Sequence, residues 1–249
     1  LLWDLVFALS NHFGSRQDVY VTGNLFVYYV KGQPKFVVCP DVCVAFSSTR
    51  RMRNTYQIWR DGPFPRVVFE LTSSNTRKED FGPKRDLYER LGVMEYYLFD
   101  PRFDPDVEYA PVDTMEQTDI TGELHFCHRP AEGAPFDPMG TLPSGGTLHS
   151  PALGLELTVR GRALRLVDEA TGHLLPTGHD EAESARAEAQ AARSAATDAR
   201  KAETAARAAE QRAQAEADAR QAAEVRAKEL EDELARLRAR LHLRNTERE

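Results

Sequence analysis

Cysteine is scarce in this chain, and what little there is has no framework spacing. Three cysteines in 249 residues, Cys39, Cys43 and Cys127, make an odd count. No Cys or His motif follows Cys39 and Cys43 at a zinc-like interval, which argues against a disulfide scaffold or a zinc ribbon. Cys39 and Cys43 share one strand face at period two and read as small core residues. No hydrophobic run approaches the roughly 18 residues that a membrane span requires. No secretory leader is visible, although the sequence begins at Leu1, so a reducing cytoplasmic setting is expected. A basic excess is missing too. The chain holds 32 basic against 39 acidic residues, a formal charge of −7, which is not the footprint of a tight nonspecific nucleic-acid binder. Histidine is present without metal spacing: His125, His128, His149, His173 and His179 read as surface or turn residues.

Composition divides what is present. Residues 1–180 hold most of the aromatics, prolines and β-branched residues, about the size of one well-buried domain. From 181 onward the chain is almost entirely Ala, Glu, Arg, Gln, Lys and Leu, with 14 basic and 15 acidic residues. The expected organisation is therefore a 1–180 globular domain and a 181–249 helical tail. Charge within the domain is uneven. Residues 50–90 carry 10 basic against 6 acidic residues, a locally positive stretch inside an acidic head.

Periodicity gives the element order. Apolar residues at 2, 3, 5, 6, 9 and 13 predict an amphipathic helix closed by Gly14. Asp18 to Val30 reads as a strand or a kinked strand pair around Gly23-Asn24, and 36–46 and 66–72 read as further strands. A helix is expected from about Asp80 to Leu91, with Pro83 in its first turn and Gly92 as its left-handed cap. Val93 to Phe99 is again a strand. A helix joining two strands of one sheet requires a crossover, so at least one strand pair should be parallel. Additional strands are expected near 106–111, 123–128 and 155–167.

Two carboxylates interrupt these apolar runs. Asp41 follows Pro40 inside Phe36–Phe46, and Glu70 closes Val67-Val68-Phe69. Neighbouring strands lie about 4.8 Å apart, so acids on one face could share a hard cation, with the Leu71 carbonyl as a third oxygen ligand. Asp80, Lys84 and Tyr88 recur at i, i+4 and i+8 on one helix face that could aim Lys84 at those acids. The plainer alternatives are that Asp41 caps a turn, Glu70 pairs with an arginine, and Asp80 with Lys84 forms an exposed ion pair.

With these residues in view, the sequence resembles the Uma-two restriction-endonuclease family, which has a PD-(D/E)XK nuclease core. The resemblance runs from about Asp18 to Thr177. It rests on Pro40-Asp41-Val42, on Val68-Phe69-Glu70-Leu71-Thr72-Ser73, and on Thr76 through Asp80 and Lys84 to Tyr88. Gly92-Val93-Met94-Glu95-Tyr96-Tyr97-Leu98-Phe99-Asp100-Pro101 continues it, and Leu153-Gly154-Leu155-Glu156-Leu157 ends it. It implies a restriction-endonuclease-like α/β fold, a central mixed sheet flanked by helices. It also implies Mg2+ as cofactor, with Mn2+ as a substitute, and DNA as substrate. In the general nuclease motif a lysine stands two residues after the glutamate; here that position is Thr72, and the lysine maps to Lys84 on the helix.

The resulting expectation is a metal-dependent DNA endonuclease. Asp41 and Glu70 would hold the metal with Leu71, and Lys84 would orient water or offset charge. Asp80 would steady Lys84, and Thr72 or Ser73 would contact a second-shell water. The rival is a noncatalytic DNA-binding or oligomerising protein that kept the nuclease fold. From Glu183 to Leu241 no Gly or Pro interrupts a run of helix formers, roughly 90 Å of helix. Ala223, Ala227, Leu230, Leu234, Leu237 and Leu241 form a heptad seam. The tail is therefore expected to be a coiled coil that makes a homodimer, against a solvated single helix as the alternative.

Overall fold

The computed structural model describes residues 1–46, 48–73, 75–101 and 122–246, with the side chains of the last helix followed to residue 236. The chain divides into two compact units, Leu1–Glu183 and Ser184–Glu249.

The first unit opens with helix α1 (Leu2–His12), which buries Leu5, Ala8 and Leu9 and carries Asp4 in its first turn and His12 in its last. Asp4 complements the positive end of the helix dipole. Strands β1 (Val19–Gly23), β2 (Val27–Tyr28), β3 (Val37–Val38), β4 (Val42–Phe46) and β5 (Tyr56–Gln57) follow, then a short helix α2 (Ile58–Asp61) and β6 (Val67–Leu71). A continuous helical segment comes next: α3 (Arg77–Glu79), a π turn (Asp80–Lys84) and α4 (Arg85–Arg90). It leads into β7 (Glu95–Asp100). Beyond it lie β8 (Glu123–His128), β9 (Gly140–Leu142), β10 (Thr147–Ser150), β11 (Leu155–Arg160), β12 (Ala163–Asp168) and the helix α5 (Gly178–Thr246).

Six strands form the central sheet in the order β1-β4-β6-β7-β8-β9. Its β6–β7 pair is parallel, joined through α3 and α4, and its other pairs are antiparallel, so the sheet is mixed. Strand alternation gives it two apolar faces. Val67, Phe69, Tyr97, Phe99 and Leu124 pack with α1 and with the antiparallel sheet β10-β11-β12. Cys43, Ala45, Val68, Tyr96, Leu98 and Cys127 point the other way and pack with Tyr88 of α4 and with the small sheet β3-β2-β5, through Val27, Val38 and Tyr56.

Several local expectations need correction. The apolar run 36–46 is not one strand: β3 and β4 belong to different sheets, and Cys39-Pro40-Asp41 is the corner between them. Pro40 has no N–H for a ladder, which is reason enough for the break. Cys39 and Cys43 consequently do not share a strand. The helix starts at Arg77 rather than Asp80, and Pro83 lies inside it, in the π turn. An α-helix would need the missing Pro83 N–H to close on the carbonyl of Glu79, and widening to i→i+5 removes that demand. Gly92, with φ of 84°, does take the left-handed position after the helix. The 155–167 strand is a hairpin, β11 and β12, turning at Gly161 with φ of 56°. His125 and His128 are not surface turns but lie in β8: His125 is buried against the Thr141 hydroxyl at 3.0 Å, and the His128 Nε2 lies 3.0 Å from the Tyr97 hydroxyl. The strand expected at 106–111 lies outside the described residues.

The start of α5 is chemically defined. The Thr177 N–H donates to Asp180 Oδ2 at 2.8 Å, and the Asp180 N–H donates to Thr177 Oγ1 at 3.2 Å. This reciprocal pair is a capping box. Arg165 of β12 donates to the same Asp180 carboxylate at 2.7 Å. No helix among the described residues is long and apolar enough to cross a membrane.

Candidate active site

Strand register brings the two acids together. β4 and β6 run antiparallel with Val42 opposite Phe69, Cys43 opposite Val68 and Val44 opposite Val67. One further step of that register sets Asp41 across from Glu70, on the same face as Cys43 and Val68. Opposed Cβ atoms in such a pair stand about 5 Å apart. Asp41 is half-buried, and its Oδ2 accepts the Leu71 N–H at 2.7 Å. A strand residue sends its N–H and C=O off the same edge, so the Leu71 carbonyl also leaves β6 toward β4. Thr72 turns the opposite way, donating its N–H to the Phe99 carbonyl at 2.9 Å.

Glu70 is only 1% exposed. Its Oε1 accepts the Tyr88 hydroxyl at 2.6 Å, and its Oε2 accepts Lys84 Nζ at 3.2 Å. Lys84 Nζ also stands 2.9 Å from Oδ1 of the buried Asp80, close but poorly aligned for a hydrogen bond. One ammonium therefore bridges two buried carboxylates. The pairing of Glu70 with an arginine and the exposed Asp80–Lys84 pair both give way to this bridge. Backbone support comes from Tyr96 of β7, whose hydroxyl donates to the Asp80 carbonyl at 2.9 Å and ties the π turn to the sheet.

Electrostatics follow from burial. Removal from water pushes the Glu70 carboxyl up to about 7; Lys84 and the Tyr88 hydroxyl pull it down, while Asp41 and Asp80 push it further up. Burial by itself would lower the Lys84 pKa, but the Glu70 and Asp80 carboxylates outweigh it and hold Lys84 above its ordinary value. Lys84 is therefore a fixed positive charge near neutral pH, not a proton acceptor. Tyr88, raised first by burial and then by Glu70, stays a neutral donor. Burial raises the Cys39 thiol, as do Glu70 and Asp41, and it pushes Cys43 up to about 12. These thiols add no thiolate, so the site's chemistry is that of oxygen donors.

The donor set fits a small hard cation. Among the described residues no three His, Cys, Asp or Glu side chains form a ready ligand cluster. The protein offers two opposed carboxylates, Asp41 and Glu70, the latter already bonded by Lys84 and Tyr88, with Asp80 beside the same ammonium. Magnesium keeps several of its waters and is commonly held by one or two carboxylates, so this sparse set suits it. Three acids against one ammonium also leave the site short of positive charge, which a divalent ion would balance.

The model for the Uma2 family, described as "Putative restriction endonuclease", matches residues 2–160. The chain belongs to this family. Its match begins ahead of the Asp18 start expected from motifs and takes in α1. Among solved structures, the chain is similar to "a putative nuclease belonging to DUF820 from Anabaena variabilis ATCC 29413", with a TM-score of 0.40 and 11% sequence identity over 61% of this chain and 70% of that one. No curated protein matches the chain. Family membership together with the mixed sheet flanked by helices gives the first unit a restriction-endonuclease-like fold.

Of the residues singled out from sequence, Asp41, Glu70, Leu71, Asp80 and Lys84 converge. Thr72 is buried at the position of the missing motif lysine, with its hydroxyl 3.5 Å from the Ser73 carbonyl. The hydrogen bonds of Ser73 run instead to the Thr76 hydroxyl, at 3.1 and 3.2 Å, and to the Arg77 N–H at 2.9 Å, at the entry to α3. Tyr88 was absent from the expected site. Its i+4 spacing from Lys84 was the signal that could have placed it there.

Proposed function

We propose that the chain is a magnesium-dependent DNA endonuclease acting through Asp41, Glu70 and Lys84. The observation that carries the reading is the single ammonium of Lys84, held at 3.2 Å from Glu70 and 2.9 Å from Asp80 beside the opposed Asp41. A bound Mg2+, or Mn2+ in its place, would polarise the phosphodiester and acidify a coordinated water. Asp41 and Glu70 would supply its carboxylate oxygens, with the Leu71 carbonyl beside them. Lys84 remains protonated and faces the charge that develops on the phosphoryl oxygens. Asp80 fixes the ammonium from the other side, and Tyr88 holds Glu70 Oε1 so that Oε2 faces Lys84. Thr72 and Ser73 frame the strand end where a second-shell water would sit.

DNA as substrate is supported by the family and by the locally positive 50–90 stretch. Arg51 and Arg60, which pair with Asp61, and Arg77, which pairs with Asp100, keep side chains 68%, 49% and 46% exposed there. Such cations suit a phosphate backbone.

The test is nicking of supercoiled plasmid with Mg2+ or Mn2+, comparing wild type with Asp41→Ala and Lys84→Met. Metal-dependent nicking is expected, abolished in Asp41→Ala and reduced about 10²–10³-fold in Lys84→Met. Cleavage that persists in Lys84→Met at full rate overturns the assignment. No cleavage by wild type with either metal favours a noncatalytic DNA-binding or scaffold role for the same fold.

A further inference from the structure

α5 runs 69 residues, Gly178–Thr246, and every described side chain from 184 to 236 is exposed. Most of that surface is solvated by design. Charged residues recur one turn apart, as in Arg207 to Glu203 at 2.6 Å, and alanine fills much of the remainder. One stretch departs from this. Leu230 and Leu234 are 55% and 53% exposed, among the few large apolar side chains of the described residues left in water. With Ala223 and Ala227 they fall on one stripe at alternating spacings of four and three residues, the a and d positions of a heptad. Val225, 55% exposed, sits off that stripe.

We propose that this stripe is the docking surface for a second copy of the same chain, in a parallel, in-register, two-stranded coiled coil. The charges flanking the seam point to a second copy in the parallel register. With Ala227 and Leu234 at a and Leu230 at d, Arg226 occupies g and Glu231 the following e position. In a parallel homodimer each g faces the partner's next e, so Arg226 meets Glu231 of the other copy, twice by symmetry. An antiparallel pairing sets e against e. Of the e positions, Glu224 and Glu231 are acidic and repel each other there, whereas Arg238 is basic and does not. The next g and e positions, Glu233 and Arg238, are likewise opposite in charge, so a copy of the same chain complements the surface in the parallel register. Upstream the pattern fails, with Arg220 at a and Glu216 at d, which confines the grip to the stretch after residue 220. A parallel pair holds the two chains in the same direction, an arrangement suited to acting on both strands of a duplex.

The proposal does not depend on the nuclease reading, because its readout is mass. Sedimentation equilibrium of the full chain at micromolar protein is expected to give two copies. Leu234→Asp is expected to give one. Glu231→Arg, which sets arginine against Arg226, is also expected to give one, and the pair Arg226→Glu with Glu231→Arg to restore two. Leu230→Cys in a Cys39→Ser background is expected to form a disulfide-linked dimer under mild oxidation, since parallel d positions face each other. A monomeric wild type, a mass of three or more copies, or a dimer indifferent to the Leu234 and Glu231 changes would overturn the proposal. A charge swap that fails to rescue, or a Leu230→Cys chain that does not cross-link, would overturn the parallel register.

Discussion

Two glutamates lie on neighbouring strands of the central sheet and are almost equally buried, Glu70 at 1% and Glu95 at 3% exposed. They point to opposite faces and live in different chemistry. Glu95 is surrounded by neutral donors: the Tyr97 hydroxyl at 3.0 Å, the Ala152 N–H at 2.8 Å and the Ser150 hydroxyl. Those bonds join β7 of the main sheet to the segment leading from β10 to β11, inside the apolar layer that also holds α1. Glu70 has one neutral donor, Tyr88, and otherwise faces charge: the Lys84 ammonium on one side, Asp41 across the strand and Asp80 beyond. A buried carboxylate satisfied by hydroxyls and amides is a structural rivet. One held among other charges, next to a half-open acid, is where the proposed metal would bind.

The sharpest way to break this comparison is to exchange the consequences. Glu70→Gln is expected to abolish metal-dependent nicking while the urea midpoint moves little. Glu95→Ala is expected to cost about 3 kcal/mol of stability, because three donors are left unpaired in the core, with cleavage per folded molecule retained. If Glu70→Gln cleaves normally, the functional half of the contrast fails. If Glu95→Ala unfolds no more readily than wild type, the structural half does.

The tyrosines give a finer version. Tyr88→Phe removes the hydroxyl that fixes Glu70 and is expected to slow nicking about tenfold. Tyr97→Phe, at the corresponding hydroxyl of Glu95, is expected to cost about 1 kcal/mol in denaturation and leave the rate alone. Equal effects of the two on rate would erase the distinction.

A third buried acid sharpens the point through pH. Asp61 is 7% exposed and is raised by burial, but the Arg60 hydrogen bond, the Gln57 N–H and the Arg53 charge outweigh that and hold it below the ordinary carboxylate range. Its folded pKa lies under its unfolded one. Its stabilisation is therefore complete above about pH 4 and is lost as pH falls through the folded value. Asp61→Asn is expected to lower stability near neutrality and to flatten the acid side of the stability profile, measured as urea midpoints from pH 2.5 to 6. An unchanged acid slope would show that Arg60 and Arg53 do not hold this carboxylate in solution.

Much of the molecule can be read locally. The 3.6-residue apolar spacing of α1, the strand runs at β6, β7 and β8, and the uninterrupted helix formers of α5 all follow from periodicity and propensity. So does the pairing of Asp80, Lys84 and Tyr88 on one helix face, since i+4 spacing is a property of the helix itself. The family likeness was legible for the same reason: its motifs are contiguous stretches. Local pattern misled where chain direction changed without a change of hydrophobicity. Phe36 to Phe46 stays apolar through the Pro40 corner, so two strands in different sheets looked like one. The histidines of β8 looked like polar punctuation, whereas the fold encloses them.

What the sequence determined alone is thus the inventory: which segments are helix or strand, which acids interrupt apolar runs, and where a lysine and a tyrosine share a helix face. Tertiary structure decided the meetings. The antiparallel register of β4 on β6 sets Asp41 opposite Glu70, and a one-residue slip would turn one of them to the other face of the sheet. The π turn that Pro83 imposes sets the angle at which Lys84 reaches back to Glu70. The register depends on contacts between residues far apart in sequence, whose energies no local pattern contains, and what Lys84 then meets depends on where the sheet places Glu70.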